Sequence, residues 1–105
     1  MTKITLTDAQ VETLLEYGPG EFDYELRSYS GRGMYGRECL GIVTDEPSKI
    51  VYAIGYAIGY LETSGASKDT IGFDLHDALE AFQTSHTDDM GQFAILYFPD
   101  VTLTE

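Results

Sequence analysis

Hydrophobic residues in the first part of the chain recur at helical spacing. Val11, Leu14 and Leu15 fall on one side of a helix, and acidic residues fall on the other side. Thr7 is a good N-cap, and Gln10 three residues later completes a capping box. The pattern predicts a first helix that begins after Thr7 and ends at the glycine–proline pair at positions 18–19. Residues 1–6 are expected to lead almost directly into this helix.

Two strands are predicted after this helix, with a glycine-rich loop between them. Positions 22–29 alternate apolar and polar residues, which indicates a strand with one solvated face. Positions 38–44 contain a second apolar run, and the intervening loop at positions 30–37 has the sequence SGRGMYGR. Two such strands joined by one loop predict a hairpin with the loop at its tip.

A second helix is predicted from Pro47 to about Thr63, because proline and acidic residues suit the first turn. It contains the repeat YAIGYAIGY at positions 52–60. Its isoleucines form one stripe, whereas Gly55 and Gly59 lie on the opposite side among tyrosines. A helix that is apolar nearly all round is expected to be covered on more than one side. We expect the two glycines to let this helix pack tightly within the monomer; the alternative is a homodimer through the Gly55/Gly59 face.

The last part of the chain predicts a third helix and a third strand. Asp74 caps a helix whose apolar residues at 75, 78, 79 and 82 follow helical spacing. Positions 84–91 are predicted as a polar loop, positions 92–98 as a central strand, and positions 101–103 as a short edge strand or tail. The element order is α-β-β-α-α-β. The expected fold class is therefore α+β, a single domain over 1–105 with a small, mainly antiparallel three-stranded sheet and three helices.

The net charge of the chain limits the classes of partner that it is expected to bind. Its 105 residues include 18 acidic and 6 basic ones, which gives a net charge of −12. This disfavours direct nucleic-acid binding and anionic membranes, which both rely on a basic surface, and it suits a protein partner with a basic surface. The longest apolar run, Ile50 to Leu61, has about 12 residues, and a membrane span takes roughly 20. We expect a cytoplasmic protein.

The loop at 30–37 is the candidate binding site. Half of the six basic residues lie between positions 27 and 37. Glycines let backbone N–H groups turn toward an anion, arginine holds phosphate or carboxylate through two parallel hydrogen bonds, and tyrosine stacks on a ring. The predicted binding residues are Tyr29, Arg32, Tyr35 and Arg37. The alternative is a hairpin turn whose arginines pair with the protein's own carboxylates.

Residue types that serve catalysis or metal binding are present but do not form a recognisable motif. His76 and Glu80 are spaced i, i+4, but nothing in the spacing requires the second histidine, His86, to join them. Cys39 is the only cysteine and is expected to be an ordinary buried residue of a strand. We therefore predict no catalytic residues, no metal site and no cofactor.

The acidic residues are concentrated in two stretches. Eight lie between positions 69 and 105 and six between positions 8 and 25, and neither stretch contains lysine or arginine. If the first and third helices share a side of the sheet, one broad negative surface is formed by Asp8, Glu12, Glu16, Asp77 and Glu80. Such a surface can imitate nucleic-acid phosphates and occupy a basic groove on another protein; the alternative is a solvated face that only aids solubility.

Three segments carry a resemblance to a known group of proteins. The stretch from Arg27 to Gly36, followed by Cys39 to Ile42, and the closing Tyr97 to Val101 resemble small accessory proteins encoded by tailed bacteriophages. The match covers about a third of the chain. It implies a bacterial cytoplasm and a role in acting on host machinery.

Two main functional hypotheses follow from these patterns, and a weaker third one is an enzyme that uses His76 or Cys39. The first is a noncatalytic, acidic protein-interaction module that binds or inhibits a host or phage protein. The second is a small ligand-binding domain that holds a nucleotide or other anion at loop 30–37.

Overall fold

The structure, a computed structural model, describes residues 3–18, 21–29, 38–65, 72–83 and 86–104. These ranges contain the following elements: β1 (Ile4–Thr7), α1 (Asp8–Glu16), β2 (Glu25–Tyr29), β3 (Cys39–Thr44), α2 (Pro47–Ser64), α3 (Leu75–Gln83), β4 (His86–Asp89), β5 (Ala94–Phe98) and β6 (Val101–Thr104). The α+β class is confirmed. The single three-stranded sheet is wrong, because six strands form two sheets.

The larger sheet is antiparallel and has the strand order β2-β3-β5-β4. Its β2–β3 hairpin has the predicted pairing, with Tyr29 opposite Cys39 at the loop end and Glu25 opposite Val43 at the other end. The strand β5 lies between β3 and β4 and is buried along its whole length. This agrees with its apolar residues on both faces, because a central strand is covered on two sides.

The strands β1 and β4 were missed by the sequence pattern. β4 has the sequence HTDD and pairs with β5 at the edge of the sheet, so it needs no apolar alternation. β1 has only four residues and forms a separate parallel pair with β6. The hydroxyls of Thr5 and Thr102, 97 positions apart, lie 3.0 Å from each other across this pair. Local periodicity does not reveal so distant a partner.

All three predicted helix starts are present in the structure, and two of them have a side-chain cap. The amide of Gln10 donates to Thr7 Oγ1 at 3.2 Å, and the amide of Thr7 donates to Gln10 Oε1 at 2.9 Å, which is the capping box. The amide of His76 donates to Asp74 Oδ1 at 2.8 Å, so Asp74 caps α3. These bonds satisfy amides that a helix start otherwise leaves without a partner.

The main core lies between the three helices and one face of the four-stranded sheet. The predicted stripe of α2 is buried in it: Ile50, Ile54, Ile58 and Leu61. α2 packs against both α1 and α3, whereas α1 and α3 make few contacts with each other. The central helix therefore has two flanks and a base in contact with the rest of the protein, and one side that faces outward.

Candidate functional site

The outward side of α2 carries tyrosines and glycines in place of charges. We call this surface the α2 outer face and define it by Val51, Tyr52, Gly55, Tyr56, Gly59 and Tyr60. Its valine and three tyrosines are between 46% and 63% exposed. The expectation that this helix is covered on more than one side is met at its two flanks and its base, and the α2 outer face is the side that stays exposed.

The exposed tyrosines of α2 form a stacked row. The ring centroids of Tyr52 and Tyr56 are 6.4 Å apart and those of Tyr56 and Tyr60 are 6.3 Å apart, with nearly parallel planes. Tyr17, at the end of α1, continues the row at 5.8 Å from Tyr60. A spacing of four residues places side chains one above another on a helix, so the repeat itself builds this row.

The two glycines of the α2 outer face have open space around them. Among the residues that the structure describes, a Cβ atom built on Gly55 or on Gly59 meets no other atom within 4 Å. The expectation that these glycines allow tight packing within the monomer is therefore wrong. Glycine inside a helix costs about 1 kcal/mol relative to alanine, so the pair lowers helix stability by about 2 kcal/mol without a packing reason in the described residues.

An apolar groove lies beside Gly55, between α2 and α3. Its volume is about 270 Å³. Its walls are formed by Val51, Ile54, Ile58, Leu79, Phe82 and Phe98. The groove and the tyrosine row lie on either side of the glycines, so the α2 outer face contains both projecting rings and an open depression.

A second surface is formed by carboxylates of α1 and of the segment that follows this helix. We call it the acidic patch and define it by Glu12, Glu16, Glu21 and Asp23, all of which are exposed. The last three line a shallow cleft of about 480 Å³ together with Leu15, Phe22 and Tyr24. Partial burial raises the pKa of the Tyr24 hydroxyl, and the negative charges of Glu12 and Glu16 raise it further, which places both carboxylates beside this ring.

The acidic patch differs from the surface expected from sequence. α1 and α3 pack against α2 from opposite flanks, so the outer face of α2 separates Glu12 and Glu16 from Asp77 and Glu80. The residues that join Glu12 and Glu16 belong instead to the segment after α1. Their signal was already present in the sequence, because Glu21 and Asp23 belong to the same stretch at 8–25 that lacks lysine and arginine.

A buried hydroxyl holds the segment that carries half of the acidic patch. Thr44 Oγ1 donates to the carbonyl of Asp23 at 3.0 Å and accepts from the amide of Glu46 at 3.0 Å. The start of α2 and the segment at 21–24 are thereby tied together. Among the residues the structure describes, none of the four carboxylates has an ion-pair partner; the ion pairs seen there are Arg27–Glu25, Lys49–Glu46 and His86–Asp88.

The predicted anion-binding residues are only partly described. Arg32, Tyr35 and Arg37 lie outside the described residues. Tyr29 is half-buried, and its ring lies directly over Gly41, where an added Cβ would overlap it. The same ring meets Tyr97 edge-on, with centroids 5.3 Å apart. Tyr29 thus contributes to packing on the sheet face opposite the helices.

The guanidinium of Arg27, next to this loop, forms an ion pair with a carboxylate of the same strand at the protein surface. It donates to Glu25 Oε2 at 2.9 Å. The neighbouring Tyr29 side chain and the carboxylate of Glu25 raise the pKa of Arg27 above its ordinary value. The hairpin-turn alternative concerned Arg32 and Arg37, which lie outside the described residues.

A further cleft of the described residues lies beside Ser28 and Glu38, which flank loop 30–37 in the chain. It has a volume of about 750 Å³, and Ser28 and Glu38 line it together with Asp8 at the start of α1. Among its described lining residues, the charged ones are these two carboxylates. That lining repels an anion, so it gives no support to a phosphate site there.

The histidines lie apart from each other. His76 is exposed on α3, whereas His86 belongs to β4, where its Nε2 lies 3.7 Å from Asp88. Within the described ranges, no three His, Cys, Asp or Glu side chains are placed to hold one metal ion.

Cys39 is buried, as expected. In the same ranges, no helix has the length and apolar content that crossing a membrane requires.

No family model, curated protein or solved structure matches this chain. The chain's own surfaces are therefore the basis on which its function is inferred. Two of them differ in chemistry: the acidic patch is charged and open, and the α2 outer face is aromatic and carries no charge.

Proposed function

We propose that this chain is a noncatalytic protein-interaction module that binds a protein with a basic surface. The contact surface in this proposal is the acidic patch. The observation that carries it is the grouping of four exposed carboxylates, three of which line one cleft while Glu12 lies one turn before Glu16 on α1. None of the four has an ion-pair partner among the described residues.

Carboxylates at such a surface favour an arginine-bearing partner for two reasons. A guanidinium forms two parallel hydrogen bonds with a carboxylate, and it also stacks on aromatic rings. Phe22 and Tyr24 lie within the patch with ring centroids 5.6 Å apart, so both kinds of contact are available at one place. A basic partner also relieves the mutual repulsion of the four carboxylates.

The whole charge of the chain supports the same partner class. A net charge of −12 attracts a basic protein over a distance and speeds its encounter, and added salt weakens this attraction. The Debye length is about 8 Å at physiological ionic strength, so the carboxylates nearest the contact dominate once the proteins meet. Binding is therefore expected to depend on the acidic patch more than on acidic residues elsewhere.

The resemblance to bacteriophage accessory proteins gives this proposal a biological setting. In that setting the chain acts in a bacterial cytoplasm, and its partner is a host protein whose basic groove the acidic patch occupies. A groove filled in this way is closed to its own ligand, so the expected outcome is inhibition.

The test compares capture from a bacterial lysate by three forms of the chain. The first is wild type. The second is a patch variant, E12Q/E16Q/E21Q/D23N. The third is a charge-matched control with four other exposed or half-exposed carboxylates neutralised, E38Q/D45N/E62Q/D77N. The second and third forms carry the same net charge, so only the position of the lost carboxylates differs.

We expect wild type and the control to retain the same basic protein and the patch variant to lose it. Purified, that protein should bind the wild-type chain at least tenfold more weakly at high salt. Equal retention by the patch variant and wild type would refute the proposal, as would equal losses in the patch variant and the control. Circular dichroism of all three forms ensures that each is folded.

A further inference from the structure

We infer that the α2 outer face is the site where a second copy of this chain binds. The inference is independent of the acidic patch and goes beyond the proposed function. It rests on the charge of this face, on its shape and on its extent.

The α2 outer face is the place where two copies of so acidic a protein can approach. None of its six residues is charged, and the charged residues within α2 are Lys49 and Glu62, which cancel. A basic partner gains little from a face without net charge. A second copy, in contrast, meets its smallest repulsion here, because contacts at α1 or β4 would bring carboxylates together.

The shape of the α2 outer face is suited to an identical face. A two-fold contact requires one surface to contain both the projecting parts and the depressions that receive them. Tyr52, Tyr56 and Tyr60 project, and next to them Gly55 and Gly59 leave space around the helix backbone. The groove between α2 and α3 deepens that space on the side away from the tyrosines. Rings of one copy therefore have an apolar depression on the other copy to enter.

The extent of this surface predicts a weak dimer. A helix of 18 residues is about 27 Å long, and the neighbouring helix α3 widens the surface by about 8–10 Å. With α2 itself about 10 Å wide, the resulting strip covers about 500 Å², less than the roughly 800 Å² that each partner contributes to a standard stable complex. We therefore expect reversible association, with a dissociation constant in the micromolar range or weaker.

Sedimentation velocity over a range from low micromolar to near-millimolar protein tests this inference. Wild type should move from the 11.6 kDa monomer toward twice that mass as concentration rises. Added salt should increase the dimer fraction, because it screens the repulsion between two chains of net charge −12. The opposite salt effect is expected for a basic partner at the acidic patch.

Two variants and one control locate the interface. Tyr56→Glu places like charges in the contact, and Gly59→Leu fills the space that a partner ring needs; each should weaken association at least tenfold. Met90→Glu is the matched control, because Met90 is 52% exposed and lies in the β4–β5 turn, outside the α2 outer face. It makes the same change of an exposed apolar residue to glutamate and should leave association unchanged.

A wild-type chain that stays monomeric at the highest concentration and at high salt would overturn the inference. Dimers that persist unchanged in Tyr56→Glu and Gly59→Leu would overturn it as well, since the contact would then lie elsewhere. The patch variant should still dimerise, and Tyr56→Glu should still capture the basic protein. The two proposals therefore fail separately.

Discussion

Replacing the two glycines of α2 by alanine tests the description of this helix most directly. At both positions an added Cβ has no neighbour within 4 Å, so no contact opposes the change. Neither glycine has a positive φ, so alanine adopts the same backbone conformation without strain. Gly55→Ala and Gly59→Ala should therefore act through helix propensity alone.

The size of this effect follows from the cost of glycine inside a helix. Each replacement should raise the free energy of unfolding by about 1 kcal/mol, and the double variant by about 2 kcal/mol. For a domain of this size, 1 kcal/mol corresponds to roughly 4–8 °C in Tm. Measurements at low micromolar protein keep any dimer dissociated, so that only the monomer is compared.

The same substitution at two other glycines provides the control. A Cβ on Gly18 would lie 2.5 Å from the Cβ and 2.6 Å from the Cα of Ala53, so α1 and α2 would have to separate. A Cβ on Gly41 would displace the ring of Tyr29. Both variants should lower the free energy of unfolding by about 1–3 kcal/mol, as overpacked cores do.

Urea unfolding followed by circular dichroism measures all of these variants on one scale. The expected result is a difference in sign. Gly55→Ala and Gly59→Ala should raise the free energy of unfolding, whereas Gly18→Ala and Gly41→Ala should lower it. A loss at either α2 position would refute the reasoning, because it would mean that something packs against a glycine described as open.

Three further predictions concern the hydroxyl tie, the pH dependence and the anion hypothesis. Thr44→Val keeps the shape of the side chain but removes its hydrogen bonds to the carbonyl of Asp23 and the amide of Glu46. Urea unfolding should show that the free energy of unfolding falls by about 1–3 kcal/mol. No decrease would mean that water replaces these bonds. Burial raises the pKa of Tyr97 above its usual 10.0, so the unfolded chain ionises this residue first, and stability should fall as the pH rises from about 10 through the folded-state pKa. Tyr97→Phe should reduce this alkaline loss in unfolding curves measured across that range, and an unchanged pH profile would exclude Tyr97 as its source. Phosphate and ATP should raise Tm no more than chloride at equal ionic strength; a larger rise that Arg32→Ala abolishes would favour the ligand-binding hypothesis instead.

Elements with local sequence signals were predicted well. The capping box of Thr7 and Gln10 and the Asp74 cap depend on residues within three positions of each other, so the sequence contains the whole interaction. The apolar run of β5 likewise predicted a central strand. The polar edge strand β4 has no such signal, because its stability comes from backbone pairing with β5.

The functional surfaces were predicted only in part. Helical spacing correctly placed Gly55 and Gly59 opposite the buried stripe, but spacing alone does not say whether another element covers that side. Glu12 and Glu16 were identified as part of an acidic surface, whereas their neighbours Glu21 and Asp23 depend on how the segment after α1 folds back. That arrangement is set by Thr44, which is 21 residues from Asp23.

The parallel pairing of β1 and β6 has a consequence for how the chain can be rearranged. The amide of Ile4 donates to the carbonyl of Asp100 at 2.9 Å, so the first and last strands run side by side. A four-residue strand is about 13 Å long, and because the pair is parallel, a linker from Thr104 back to Lys3 must cross over one face of it, which takes about a dozen residues. A circular permutant joined there, with new termini in the exposed β4–β5 turn, should keep the native topology. Its β1–β6 contact would close across a short peptide, which removes most of the chain search that this pair imposes on folding.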